Sequence, residues 1–241
     1  MAAEPIRKVP VTRFFLALFV IAASVAAWAV HSGRFVVPPH WNPWAALDVA
    51  ETPNWLTSHK LQRAAADPLL CSTAMGGSTL EHIGVADNDT GDGCGWQGAL
   101  RVDDARFAPS FTLTCSAALS LVMWERHALR PAALAHLGQP VARIDHFGSY
   151  ACRNVRGAGG EGARRSQHAT ANAFDVAGFR LRDGRRISLV NHWEGDGPEA
   201  VFLREVRDGA CRFFRGTLGP DYNAAHRDHF HLDQGPYRIC R

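Results

Sequence analysis

The sequence predicts an α+β domain in which helices cover a small antiparallel sheet. Three observations favour this class. Alternating apolar stretches at 111–114 and 173–181 are typical of strands. The turn pair Asp183-Gly184 stands between two apolar runs, which is a strong hairpin signal and so favours antiparallel pairing. Apolar residues at helical spacing over 198–214 predict a helix that covers this sheet.

The composition is that of an ordinary globular protein. The chain has 241 residues, of which 46% are hydrophobic and 20% are charged, enough for one well-buried core. The net charge of +3 is too small to indicate a nucleic-acid partner. A modest positive balance is compatible with an anionic polymer but does not require one.

The N-terminus carries an apolar segment behind basic residues. Residues 14–30 contain no charge, and Arg7, Lys8 and Arg13 precede them. This pattern predicts a signal anchor or a signal peptide, and the basic flank predicts a cytoplasmic N-terminus with the domain outside. The small-x-small triplet at 27–29 fits a cleavage site, so an uncleaved anchor and a cleaved leader both stay open.

Three regions are therefore expected. Residues 1–34 form a basic cytoplasmic tip with the apolar segment, 35–56 form a linker rich in proline and tryptophan, and 57–241 form the folded domain. Six cysteines lie beyond the apolar segment, and an even number in an exported chain favours disulfides. The predicted pairs are Cys71–Cys94, Cys115–Cys152 and Cys211–Cys240.

The first half of the domain is expected to supply the covering helices. A helix is predicted at 57–66, with Thr57 or Ser58 as its N-cap. The stretch 87–93 predicts a tight surface turn, because the calcium-loop pattern fails at its sixth and twelfth positions, Asp92 and Gly98. The further predictions are a strand at 111–114, a helix at 116–128, a second helix from Pro131 and a strand at 141–147.

The second half is expected to form the sheet. The glycine-rich stretch 157–162 lacks the lysine of a phosphate-binding loop, so it predicts a mobile loop beside a cleft. Strands are predicted at 173–181 and 186–190. Near the C-terminus, apolar Phe230 and Leu232 alternate with His229 and His231, so on a strand both imidazoles point the same way.

Two imidazoles and one carboxylate make a ligand set that a catalytic zinc ion can use. His168 and Asp175 lie in one segment, and His231 lies in a second. Three protein ligands leave the fourth tetrahedral position for water, whose pKa zinc lowers to about 7. Imidazole ligands favour zinc over magnesium. The sequence thus predicts a zinc hydrolase.

The segment Ser166 to Asp175 resembles the Ser-x-His-x-x-Gly-x-Ala-x-Asp motif of the D-Ala-D-Ala peptidases, which belong to the lysostaphin/D-Ala-D-Ala/sonic-hedgehog group of zinc folds. Ala171 replaces the motif glycine, a change expected to matter little if its backbone φ is negative. The second segment fits both the Asp-x-x-His form (Asp228, His231) and the His-x-His form (His229, His231) of this group.

The chain from about residue 41 onwards also resembles the bacterial extensin-like C-terminal domain family. The pieces that carry this resemblance are 149–153, 168–179, 202–204 and 218–233. The family name is shared with plant wall proteins, but the chain has no Ser-Pro repeats, so the name is a poor guide to activity.

The resemblance implies roles for further residues. Asp228 is expected to be the general base, and His229 is the competing candidate. Arg153 is expected to bind a substrate carboxylate or carbonyl, and Ser166 to orient the ligand loop. Tyr150, Asn172, Trp193, His226 and Asp233 either touch the site or only pack.

The resemblance also implies a peptidase fold of the zinc group and a zinc-dependent peptidoglycan hydrolase that cleaves stem peptides or crosslinks. Peptidoglycan and the inner membrane are the expected partners. The chain is expected to be a single-pass inner-membrane protein with its domain in the periplasm, or a periplasmic protein after cleavage. Two alternatives stay open: a non-catalytic cell-wall-binding domain that keeps the zinc fold, and a secreted peptidase for ordinary L-peptides.

Overall fold

The N-terminal unit of the chain, residues 1–42, contains one long apolar helix. The computed structural model describes residues 11–157 and 160–241. Helix α1 runs from Val11 to His31, and a short 3-10 turn follows at Pro39–Trp41. With 21 residues and a mean hydropathy of 2.2, α1 is long and apolar enough to cross a membrane by length and composition. Residues 1–10 of the predicted cytoplasmic tip lie outside the described residues.

In the second unit, residues 43–241, the described residues form six α-helices. Asp67 caps α3, because its Oδ1 accepts the N–H groups of Leu69 and Leu70. The predicted cap of α2 is wrong: its N-cap is Leu56, and Thr57 Oγ1 instead accepts the N–H of Asn54. The helices are α2 Thr57–Ala66, α3 Pro68–Gly76, α4 Cys115–Trp124, α5 Arg130–Leu137, α6 Leu189–His192 and α7 Pro198–Ala210.

Helices α4 and α5 form one continuous rod joined by a wider turn. Residues Glu125–Leu129 adopt π-helical geometry between them. Pro131 has no N–H, and its ring crowds the carbonyl four residues earlier, so the wider turn relieves that clash. The rod is buried along α4, where the indole of Trp124 donates a 3.0 Å hydrogen bond to the carbonyl of Val206 in α7.

The described part of the chain contains thirteen strands, which form one main sheet and three smaller ones. Strands β1, β4 and β5 make a three-stranded antiparallel sheet, whereas β2–β3 and β7–β8 are hairpins. The strands are β1 His82–Gly84, β2 Asn88–Gly91, β3 Cys94–Trp96, β4 Ala99–Val102, β5 Phe111–Thr114, β6 Val141–Gly148, β7 Asn154–Gly157, β8 Gly160–Arg165, β9 Ala173–Leu181, β10 Arg186–Ser188, β11 Gly216–Leu218, β12 Phe230–Asp233 and β13 Ile239–Cys240.

Strand β9 is the centre of the six-stranded main sheet. Strand β6 pairs with residues 175–181 of β9. Strand β12 pairs with residues 173–176 of β9, and β10 pairs with residues 178–180. Strand β11 extends the sheet beyond β12, and β13 adds the one parallel pairing recorded in the described sheet. The predicted α+β class with a small, mainly antiparallel sheet is confirmed.

Helices cover the sheet through aromatic packing. Phe179 of β9 lies 5.2 Å from Phe202 of α7 and 6.3 Å from Trp124 of α4, measured between ring centroids. At Gly209 of α7 a Cβ atom would lie 2.4 Å from the Cβ of Ala128, so this glycine allows α7 to approach the rod closely. These contacts bury one side of the sheet and leave the other side available for the site.

Several predicted bounds differ from the observed ones. Helix α7 ends at Ala210 rather than at 214, because Phe213 and Phe214 turn into the core. Strand β10 ends at Ser188, where the chain enters α6. The turn predicted over 87–93 is shorter than expected, because Asn88–Gly91 is strand β2 and only residues 92–93 turn into β3. In the glycine-rich stretch 157–162, residues 158 and 159 lie outside the described residues, so its predicted mobility is not addressed.

The disulfide pairing corrects two of the three predicted bonds. Cys71 of α3 is bonded to Cys115 at the start of α4, and Cys94 of β3 is bonded to Cys152 after β6. The predicted pairs 71–94 and 115–152 are therefore wrong, because helix packing and the hairpin position choose the partners rather than proximity along the chain. The bond between Cys211 and Cys240 is confirmed.

Candidate metal centre

Three side chains converge at the junction of β9, β12 and a 3-10 turn. Asp175 and His231 are direct cross-strand partners in β9 and β12. His168 lies in the turn Gln167–Thr170, where its N–H is accepted by the hydroxyl of Ser166 at 3.3 Å. Phe174, Val176, Phe230 and Leu232 face the core, so alternation puts Asp175 and His231 on the opposite face.

The three facing atoms form a nearly equilateral triangle. His168 Nε2 lies 3.1 Å from both Asp175 Oδ1 and His231 Nδ1, and His231 Nδ1 lies 3.0 Å from Asp175 Oδ1. Ligand atoms at about 2.0–2.1 Å from a tetrahedral zinc ion are about 3.3 Å apart. The spacing of the triangle is close to that requirement. Each residue thus offers one atom to a common centre.

The outer nitrogens of both imidazoles are already engaged. His168 Nδ1 lies 3.0 Å from the carbonyl of Ser149, and His231 Nε2 lies 2.9 Å from Asp233 Oδ2. Both partners only accept hydrogen bonds, so both outer nitrogens carry the proton. In neutral imidazoles the inner nitrogens are then lone pairs. Three hydrogen-bond acceptors then face one another, and a bound cation would satisfy all three as ligands.

The charges of the cluster are strongly coupled. Burial alone would raise the pKa of Asp175, but the neighbouring imidazoles of His168 and His231 hold that pKa far below its usual range. Burial alone would lower the pKa of His231, yet hydrogen bonds to Asp175 and Asp233 raise it to about 9. Without a metal ion the cluster is therefore held together by a protonated His231.

The two candidates for the general base contact each other. Asp228 Oδ1 lies 2.8 Å from His229 Nδ1, and His229 Nε2 lies 3.7 Å from Asp175 Oδ1. A carboxylate accepts, so His229 Nδ1 carries the proton and its Nε2 is the lone pair. His229 thus presents a free acceptor, Nε2, to the cluster. Asp228 fixes the orientation of the His229 ring by accepting the hydrogen bond from Nδ1 on its other side.

A fourth imidazole and an aromatic ring border this cluster. The ring of His226 lies 5.2 Å from that of His229, and exposed Phe147 lies 5.6 Å from His229 on another side. Burial, followed by the charges of His231 and His229, lowers the pKa of His226 to about 4. The charge of Arg153 lowers the pKa of His226 in the same direction.

The predicted supporting residues are found in distinct positions. Ser166 caps the turn of His168, because its hydroxyl accepts the N–H of His168. Arg153 is half-buried, and its Nη1 donates a 3.2 Å hydrogen bond to the carbonyl of Asn154. Asn172 also supports the turn, because its Nδ2 donates to Gln167 Oε1 at 2.7 Å. Tyr150 packs edge-on against Trp96, and Trp193 packs against Phe230.

Ala171 does not have the negative backbone φ under which the replacement of the motif glycine was expected to matter little. Its φ is +51°, in the left-handed region, and its side chain is fully buried. The motif glycine suits this backbone conformation because it has no Cβ. The N–H of Ala171 donates to the carbonyl of His168 at 3.1 Å, and its own carbonyl accepts from Thr114 at 2.8 Å. These bonds hold the alanine in the conformation that the turn requires.

Asp233 has a role at the site that the sequence analysis did not assign. It lies two residues after His231 on β12, so strand alternation puts both side chains on one face, and this signal was available in the sequence. Gly216 of β11 makes the space: a Cβ there would lie 2.3 Å from Asp233 Oδ2. The carbonyl of Ser149 has no comparable sequence signal, because any residue supplies a carbonyl.

The match to a family model covers most of the chain. The model described as Extensin-like protein C-terminus matches residues 69–241, a range that contains every candidate ligand and all six cysteines. No curated protein and no solved structure matches the chain significantly. Over nearly three quarters of its length, the chain therefore belongs to the family of extensin-like protein C-termini.

Proposed function

We propose that the chain is a zinc-dependent peptidoglycan hydrolase that cleaves an amide bond in stem peptides or their crosslinks. The observation that carries this proposal is the triangle of His168, Asp175 and His231. Its three inward atoms are all acceptors once the outer nitrogens have donated. Two chemical species satisfy such a set: a proton on His231 or a metal ion.

The donor set fits zinc. It has two imidazole nitrogens and one carboxylate oxygen, a combination typical of catalytic zinc, with hydrogen-bonded outer nitrogens that fix each ring. A zinc ion bound there would supply a Lewis acid and would lower the pKa of a water molecule to about 7. The motif resemblance to the D-Ala-D-Ala peptidases supports the same assignment.

The residues around the triangle suit the proton transfers of amide hydrolysis. His229 Nε2 is an acceptor that lies 3.7 Å from Asp175 Oδ1, so we assign to it the removal of a proton from water. The proton then passes from His229 to the nitrogen of the leaving amine. Asp228 holds the His229 ring and stabilises its protonated form, which makes Asp228 a positioning residue.

The rim suits a peptide carrying negative charge. The positive charge of Arg153 acts on His226, and a guanidinium can bind a carboxylate or carbonyl of the substrate. Exposed Phe147 and Tyr222 provide apolar surfaces beside His229 and His226. Stem peptides of peptidoglycan carry free carboxylates, which is the chemistry that this rim would recognise.

The proposed location follows from α1. An uncleaved α1 would hold the protein in the inner membrane, with the hydrolase domain in the periplasm where peptidoglycan lies. The three disulfides are consistent with an oxidising compartment. Cleavage after α1 would instead release a periplasmic enzyme with the same site.

The first test is metal content. The detergent-purified full chain should bind one zinc ion per molecule, measured by elemental mass spectrometry, and His168→Ala should lose it. His59→Ala is the matched control, because His59 is an exposed histidine on α2. Wild type that takes up no zinc from a zinc-containing buffer would contradict the proposed centre.

The second test is turnover. Zinc-loaded wild type incubated with purified sacculi should release new muropeptides, resolved by liquid chromatography with mass spectrometry. His229→Ala should keep zinc and lose activity by a factor of about 10²–10⁴, the usual contribution of a general base. Unchanged muropeptides with zinc-loaded wild type would argue for a wall-binding domain. Full activity in His229→Ala, together with no activity in Asp228→Asn, would assign the role of general base to Asp228 instead.

A further inference from the structure

A polar cavity separate from the triangle lies between α2, the start of α4 and the C-terminal segment. Its volume is about 300 Å³, at the lower end of the range for small-molecule sites. Leu61 of α2 and Phe213 contribute apolar wall, while Asn172 and Gln234 contribute amide groups. None of the three candidate ligands is among the residues that line it.

The cavity is strongly positive. Arg212, Arg215 and Arg238 line it, and its described wall includes no acidic residue. Within 11–157 and 160–241, no ion pair involves any of these three arginines, whereas eight other arginines of the domain pair with carboxylates. The positive charge of the cavity is thus left without a counter-charge from the described chain.

One guanidinium is also incompletely hydrogen-bonded. Arg215 Nη2 donates to the carbonyl of Pro236 at 2.7 Å, but Arg215 Nε is buried and has no partner among the described residues. A buried charged donor without an acceptor is costly. An oxyanion in the cavity supplies the missing counter-charge, since guanidinium groups bind carboxylate and phosphate in the same planar geometry.

We propose that this cavity binds a small organic anion through the guanidinium groups of Arg212, Arg215 and Arg238. The shared chemistry is an oxyanion, carried by either a carboxylate or a phosphate. Leu61 and Phe213 would contact the apolar body of the ligand, and the free amide oxygen of Gln234 would accept from it. The proposal is independent of hydrolysis at the triangle.

The experiment must exclude anion binding to a metal ion. Asn172 lines the cavity and also holds Gln167, the residue before His168, so the two sites are close along the chain. The detergent-purified full chain is therefore stripped with a chelator before titration calorimetry. The probes are N-acetyl-dialanine, which carries a carboxylate, and inorganic phosphate. The amide of N-acetyl-dialanine is the matched uncharged control.

We expect the carboxylate probe, the phosphate probe or both to bind, and the uncharged amide to bind at least about tenfold more weakly. Binding of one probe alone identifies the oxyanion that the cavity takes. No binding of either anion up to about 10 mM, or equal binding of the amide and the carboxylate, overturns the proposal.

Variants then locate the binding. Arg215→Gln and Arg212→Gln should each weaken the anion by about tenfold, the loss expected for one charged hydrogen bond. Arg182→Gln is the control, because Arg182 is an exposed arginine outside the cavity. Arg212 is itself exposed, so Arg212→Gln provides the test if Arg215→Gln unfolds, as judged by circular dichroism. Affinity unchanged in Arg212→Gln, or lowered equally in Arg182→Gln, overturns the assignment.

Discussion

At the scale of single residues, His231 lies between two carboxylates that act on it differently. Asp175 lies against His231 Nδ1, the nitrogen that would bind the proposed metal ion. Asp233 accepts a hydrogen bond from the outer nitrogen, Nε2, and so fixes which nitrogen carries the proton. The ring therefore presents Nδ1 to the centre. Asp233 is kept in place by the N–H of Gly235, which it accepts at 2.6 Å, and by the space beside Gly216.

This arrangement predicts the effect of Asp233→Asn. The amide keeps the size of the side chain but removes its charge, so it holds the ring less firmly and makes Nδ1 less basic. Zinc affinity should fall by about 10–100-fold, measured by competition with a chromophoric chelator. Asp196→Asn, which changes a fully exposed carboxylate, should leave the affinity unchanged. Equal affinities of the wild type and Asp233→Asn would show that Asp233 does not act through His231.

Ala171 gives a second prediction at this scale. A left-handed backbone costs an L-residue about 1–2 kcal/mol, whereas loss of a buried methyl group costs about 0.8 kcal/mol. These effects oppose each other, so Ala171→Gly should stay within about 1 kcal/mol of wild type in urea unfolding. Ala171→Val should lose more than about 2 kcal/mol, because a β-branched side chain fits neither the dihedral nor the buried space. Equal stability of both variants would contradict the observed φ.

At the scale of secondary-structure elements, caps and turns determine where β4 and β5 are joined. Asp104 caps the 3-10 turn Ala105–Phe107 and accepts hydrogen bonds from the N–H groups of Arg106 and Glu81. Its carboxylate also pairs with the Arg106 guanidinium at 2.6 Å. One buried carboxylate thus ties β1 to the connection between β4 and β5.

This cap predicts a pH-dependent stability. Burial alone would raise the pKa of Asp104, but the hydrogen bonds from Arg106 and Glu81 lower this pKa below its ordinary value of 3.8. The stabilisation is therefore complete above pH 3.8 and is lost as the pH falls through the lower folded pKa. Asp104→Asn should cost about 2 kcal/mol in urea unfolding at pH 7, and the difference from wild type should shrink in acid.

Asp103→Asn is the matched control for this cap, because Asp103 is the exposed neighbour. It should unfold like wild type at both pH values. A constant gap between Asp104→Asn and wild type down to the most acidic pH reached before unfolding would contradict the role assigned to the charge.

At the scale of the whole molecule, disulfides join parts of the domain that are distant in sequence. The bond between Cys94 and Cys152 ties the β2–β3 hairpin to the segment after β6, which carries the Ser149 carbonyl beside His168. Arg165 reinforces the junction, because its Nε donates to the carbonyl of Asp92 at 2.6 Å. The site therefore depends on a covalent link to the first half of the domain.

The pairing predicts both a peptide map and a loss of stability. Non-reducing digestion with mass spectrometry should find Cys71 joined to Cys115 and Cys94 joined to Cys152. Cys94→Ser with Cys152→Ser opens a link of 58 residues and should cost about 4 kcal/mol in the chain-entropy model. Recovery of peptides joining Cys71 to Cys94 would contradict the observed packing of α3 against α4.

The sequence by itself determined the class of fold, the strand 173–181, the helix 57–66 and the identity of the three converging side chains. Their signals are local: alternation, helical spacing and short motifs reflect the geometry of a few consecutive residues. His231 was found in this way although it lies 56 residues after Asp175.

Only the tertiary structure decided which distant groups meet. It placed the carbonyl of Ser149 against His168 and the ring of His229 beside Asp175, chose the partners of Cys71 and Cys94, gave Ala171 its left-handed φ, and gathered three arginines around one cavity. Local propensity cannot specify these pairings, because each depends on how strands register and helices pack across long stretches of chain.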